Sequence, residues 1–188
     1  MSIRLRTWAR LTFFDPEPVL RGLRDVEIQL AHTDTPELVR RLRTGRLKSD
    51  REARDALLFA QGMARVVGAK VYVAPGETED CDFVTRATVG DTTYYSCVQL
   101  KELVPDDLNP SHSLESLVAE IAHLPPSDTV LAIRLNRRGR IDYATLAGVR
   151  VPFAELWYFW AASPDSNSWC LFGDAMRQPV LHEFQYPA

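Results

Sequence analysis

Apolar and polar positions along this chain divide it into short strands separated by a few helices. Residues 3–14 alternate Ile3, Leu5 and Thr7 against Arg4, Arg6 and Trp8, which predicts a strand with one basic face. A second strand is predicted at 26–31, after a front rich in proline. Thr35 or Asp34 can cap a short helix begun by Pro36 and closed by Gly45. From Ser49 or Asp50 a longer helix runs to Gly68, with Ala53, Ala56, Leu57, Ala60, Met63 (or Ala64) and Val67 at helical spacing. A short strand at 70–74 is ended by Pro75-Gly76. Residues 82–89 and 92–101 then read as two strands rich in β-branched and aromatic residues, joined by a Gly90-Asp91 turn.

Beyond the hairpin, Ser113 caps a helix over 114–124 that Pro125-Pro126 breaks. Residues 129–136 are a mostly apolar run, as expected of a strand in the middle of a sheet. The last third is rich in aromatics. Residues 155–163 and 167–176 read either as an antiparallel strand pair or as a helix followed by a strand. Trp157, Tyr158, Phe159, Trp160 and Trp169 could stack bases, but so dense a run is more typical of a core or a dimer interface. The C-terminal 179–188 reads as an extended tail able to dock on a neighbour.

Composition narrows this picture. The 188 residues fit one domain, 46% apolar and 25% charged, as in an ordinary globular protein. Within it, 1–48 form an N-terminal extension, 49–136 the core and 137–188 an aromatic-rich C-terminal extension. A net charge of −3 means that any nucleic-acid surface is a local patch. Two such patches stand out: Arg40, Arg41, Arg43, Arg46 and Lys48, and the basic turn of Arg137, Arg138 and Arg140. As a solvated helix face the first needs no ligand; as a phosphate contact it would supply sequence-independent affinity. No apolar run reaches membrane-span length, and the N-terminus lacks a signal-peptide pattern. Cysteines at 81, 97 and 170 fit neither a disulfide framework nor a metal-binding spacing, so a cytoplasmic protein with reduced thiols is expected. The four histidines are scattered and read as surface or loop residues.

The sharpest chemistry lies in the hairpin. Strand alternation puts Cys97, Gln99 and Lys101 on one face and Val98 and Leu100 on the other. An amide and an ammonium carried beside apolar neighbours need a reason, because an unpaired buried polar group is costly. Asp82, opening the partner strand, can add a carboxylate, and the three together can hold a divalent metal and a phosphate. Glu52 has two readings: an acid favoured by the positive end of its helix, or a further carboxylate facing the site.

Helix, strand, strand, strand, helix, strand from Asp50 to Asn136, with Asp82 and Gln99-x-Lys101 in place, resembles the PD-(D/E)xK phosphodiesterase superfamily of nucleases. The resemblance implies an α/β fold, a mixed central sheet flanked by helices with an αβββαβ core of the restriction-endonuclease-like type. It implies that Asp82, Gln99 and Glu52 ligate Mg²⁺ or Mn²⁺, with Gln99 in place of the usual Glu or Asp. Lys101 would position or polarise the attacking water. The expected substrate is nucleic acid, DNA ahead of RNA. A chain this short could work as a homodimer, each protomer cutting one strand, and the aromatic C-terminal segment could instead join it to a partner protein. A catalytically inactive binding module of the same fold is the alternative.

Overall fold

A computed structural model describes residues 3–31, 33–34, 36, 39, 42–44, 47–78, 81–137, 139 and 142–187. Among the described residues three helices precede the sheet: α1 (Ile3–Trp8), α2 (Pro16–Ala31) and α3 (Lys48–Val67). The strands β1 (Val71–Thr78), β2 (Cys81–Val89) and β3 (Thr92–Leu103) follow, then α4 (Leu114–Ala122) and β4 (Val130–Leu135). A single turn of helix, α5 (Tyr143–Leu146), leads to β5 (Glu155–Ala161), β6 (Ser168–Gly173) and β7 (Val180–Gln185). The strands form one seven-stranded sheet whose spatial order is the chain order. The β3–β4 and β4–β5 pairs are parallel and the other four antiparallel.

Helices cover both faces, so there are two cores. On one face α2 and α3 bring Leu20, Leu58 and Phe59 against Val73, Phe83, Val98, Trp157 and Phe159. On the other, α4 and α5 bring Leu117, Ile121 and Leu146 against Leu131, Ile133, Leu156, Tyr158 and Trp160. With both faces covered, every residue of β4 is buried, as expected of a central parallel strand. The same cause explains the dense aromatic run. Trp157 and Phe159 fill one core and Tyr158 and Trp160 the other, so neither base stacking nor a partner surface is open to them. Among the described residues no helix is long and apolar enough to cross a membrane.

Several elements match the expectations above. The hairpin closes with Val89 opposite Thr92, and Gly90 sits at φ +57° in the left-handed region that the turn requires. Ser113 caps α4, exchanging hydrogen bonds with Ser116 in a capping box. The last third adopts the antiparallel pair, β5 and β6.

Others are corrected. Residues 3–8 and 26–31 are helical rather than extended. Asp15 accepts the Glu17 N–H at 3.1 Å and Pro16 takes the first position of α2, where its missing N–H costs nothing. The stripe on α3 is wider than the expected one. Ala56, Leu57 and Ala60 are buried and Met63, Ala64 and Val67 pack against the same core as expected, but Leu58 and Phe59 are buried with them and Ala53 is exposed. β1 does not stop at Pro75-Gly76 but passes through a bulge to Thr78. The C-terminal segment is extended but docks on its own sheet as β7, beside β6. Half of the helix expected over 36–45 lies outside the described residues.

Cys81 and Cys97 form a disulfide across the start of the hairpin, with Cα atoms 5.5 Å apart, which corrects the expectation of three reduced thiols. Cys170 is the buried free thiol. The two half-cystines and Val84 make a third, smaller cluster, covered by Trp8, Leu11 and Phe13 of the N-terminal segment and by Tyr95.

Candidate functional site

The β2–β3 ladder begins at Phe83, paired with Val98, so from Gln99 onward β3 has no β2 strand beside it. Asp82 stands at that fork. Its Oδ2 accepts the backbone N–H of Leu100 at 2.6 Å, taking the place of a ladder carbonyl. The carboxylate is thereby fixed beside the residue that separates Gln99 from Lys101. Gly76 makes the geometry possible, because a Cβ there would lie 1.6 Å from the carbonyl oxygen of Cys81. No other residue fits without moving the strand that carries Asp82.

Register settles where the neighbours go. Gln99 and Lys101 pair with Leu131 and Ile133 of β4, whose side chains enter the α4-side core. Val98 and Leu100 pack on the α3 side. The amide and ammonium thus share a face, as the alternation predicts. Both are half-buried, and among the described residues no hydrogen bond or ion pair engages either side chain.

Glu52 is not part of this group. It lies on α3, over the opposite face of the sheet, and pairs with Lys48 four residues earlier at 3.5 Å. The acid that α3 turns to the sheet is Asp55, buried in an ion pair with Arg134 of β4. Sequence reasoning missed Asp55 because the expected stripe put it beside the apolar positions rather than among them. It also missed Glu102. That carboxylate faces the α3 side, where it receives a bidentate pair of hydrogen bonds from Arg43, with Nη1 at 2.8 Å, and one from Asn136 Nδ2 at 2.7 Å. Arg51 Nε lies 3.7 Å away. Burial opposes the charge on Glu102, but the Arg43 and Asn136 hydrogen bonds and the charge of Arg134 outweigh it and hold the carboxyl below its ordinary range.

The expected nucleic-acid contacts fare differently from one another. Arg43, with a side chain only 8% exposed, is committed to Glu102 and is corrected from phosphate contact to buried partner. Arg137 is likewise structural, donating to the carbonyls of Val104 and Asn109 and pairing with Asp106 at 2.7 Å. Lys48 is exposed on the α3 surface. Arg40, Arg41, Arg46, Arg138 and Arg140 lie outside the described residues.

As a metal site the fork offers hard oxygen donors in small number. Oδ1 of Asp82 is not used by the Leu100 hydrogen bond, and the Gln99 amide oxygen is the next candidate. Among the described residues no three His, Cys, Asp or Glu side chains converge. Mg²⁺ is compatible with so few protein ligands, since it keeps several waters and is commonly held by one or two carboxylates plus substrate phosphate.

Compared with known protein families, curated proteins and solved structures, the chain has no match.

Proposed function

We propose that this protein is a metal-dependent nuclease acting on DNA, built around a restriction-endonuclease-like core from α3 to β4. The observation that carries the reading is the Asp82 carboxylate pinned to the β3 backbone between two unengaged polar side chains, Gln99 and Lys101. The order α3-β1-β2-β3-α4-β4 supports it. Bound there, Mg²⁺ or Mn²⁺ would polarise the phosphate and lower the pKa of an attacking water.

Each residue then has a distinct task. Asp82 presents one oxygen to the cation while its other oxygen keeps the carboxylate oriented. Gln99 contributes a neutral oxygen, so the free protein binds metal weakly and gains affinity when a phosphate arrives with its own charge. Lys101 places a positive charge against the developing negative charge of the phosphorane, the moment at which it stabilises most. As a homodimer, each protomer would cut one strand.

A second reading, a nucleic-acid-binding module without catalysis, is favoured by the position of Glu52, which leaves Asp82 as the one described carboxylate at the fork. Nicking of supercoiled plasmid in Mn²⁺ separates the two. Wild type is expected to nick, EDTA to abolish nicking, and Asp82→Ala or Lys101→Ala to lower the rate roughly a hundredfold or more with unchanged circular dichroism. Undiminished cleavage by folded Lys101→Ala rejects the nuclease assignment. Plasmid retention without nicking selects the module.

A further inference from the structure

A cleft of about 460 Å³ opens on the sheet face opposite α3, at the turn end of the hairpin. That volume is within the range of small-molecule sites, roughly 300–1,000 Å³. Lys70, Tyr72, Arg86, Thr88, Thr93 and Tyr95 line it. The register places them together: Tyr72 of β1 is opposite Arg86 of β2, Arg86 is opposite Tyr95 of β3, and Thr88 is opposite Thr93.

Arg86 is the centre of this group. Its guanidinium lies 4.5 Å from the Phe13 ring centroid and 4.9 Å from that of Tyr72. Rings packed against the guanidinium hold the group without consuming its donors, which lie in its plane. Among the described residues no carboxylate pairs with Arg86, and none lines the cleft. Lys70 adds a second cation at the rim, partly offset by Asp15 at 2.8 Å. The Thr88 and Thr93 hydroxyls, 3.1 Å apart, and two tyrosines complete a set dominated by donors.

We propose that this cleft binds a phosphate group, with Arg86 as its anchor. A held cation with in-plane donors, flanked by hydroxyls and with the nearby acid, Asp15, engaged by Lys70, suits a tetrahedral anion that accepts several hydrogen bonds at once. Little side-chain freedom is lost on binding, because the rings already restrict the arginine. The phosphate belongs to a free nucleotide or to the end of a polynucleotide, both of which also offer a base to the tyrosine rings. The cleft is separate from the fork at Asp82. Arg86 lies four residues further along β2, about 13 Å by strand rise, and the side chains of Trp8, Leu11 and Phe13 cover the cluster at Cys81, Val84 and Cys97.

Calorimetric titration tests this with three probes: inorganic phosphate, a nucleoside 5′-monophosphate and a short 5′-phosphorylated single-stranded oligonucleotide, all in EDTA. Saturable binding of at least one probe is expected, weakened roughly tenfold to a hundredfold in Arg86→Gln, as for loss of a charge-assisted hydrogen bond. Arg86→Lys keeps the charge and should fall between the two, which preserves the test if Arg86→Gln does not fold. Equal affinity for mononucleotide and oligonucleotide identifies a nucleotide site; much tighter oligonucleotide binding identifies a strand end. Asp82→Ala should leave these affinities unchanged, so failure of the nuclease assignment would not touch this one. No saturable binding of any probe by wild type, or binding unaltered in both folded Arg86 variants, overturns the proposal.

Discussion

Lys101 and Glu102 are neighbours in sequence and serve opposite faces of the sheet, Lys101 beside the fork and Glu102 in the α3-side charge network. The alternation that makes Gln99-x-Lys101 legible as a pair also removes Glu102 from them. Glu102 has its own consequence for stability. Its folded-state pKa is depressed below the ordinary 4.5, so its stabilisation is fully present above the unfolded value and is lost as pH falls through the folded one. Urea melts across acid pH should therefore show the wild type losing stability below about pH 4.5, with a shallower slope for Glu102→Gln. A slope identical in the two proteins would contradict the assignment. The network that encloses Glu102 was not legible beforehand, because its arginines come from the loop before α3, from α3 and from β4. No local spacing records that meeting.

Among the elements, the hairpin, α4 and β4 were readable because each carries a local device: a glycine turn, a capping serine, an unbroken apolar run. The N-terminal helices were misread for an equally local reason. Val26, Ile28 and Leu30 alternate as a strand would, yet Val26 and Ile28 are about half exposed on α2. The side chain that anchors α2 is Leu20, wholly buried. Period two and period 3.6 coincide over so few residues, and surface apolar residues are common enough to complete a false pattern. Thermal melts can check the corrected assignment. Ile28→Lys should change stability by less than about 0.5 kcal/mol, whereas Leu20→Ala should cost about 2–5 kcal/mol. The aromatic strands β5 and β6 were ambiguous for a different cause. Burial on both faces erases periodicity, and the choice between strand and helix then depends on neighbours that lie elsewhere in the chain.

At the scale of the whole molecule, chain order and strand order coincide, so each strand needs only its predecessor to find its place. The core on the α3 side does not follow that order. Leu58 and Phe59 of α3 form early in the chain, but their cluster includes Trp157 and Phe159 of β5, Leu171 of β6 and Phe184 of β7. A ribosome releasing this chain would expose the apolar side of α3 until the last strands had emerged, which is the interval in which a growing protein is most prone to self-association. Chains stopped after Asp142 should therefore carry β1 to β4 yet sediment with ribosomes or aggregates, while the full chain is released in the supernatant. The vulnerable period in the life of this protein would then be its synthesis, when one early helix waits for the C-terminus to close over it.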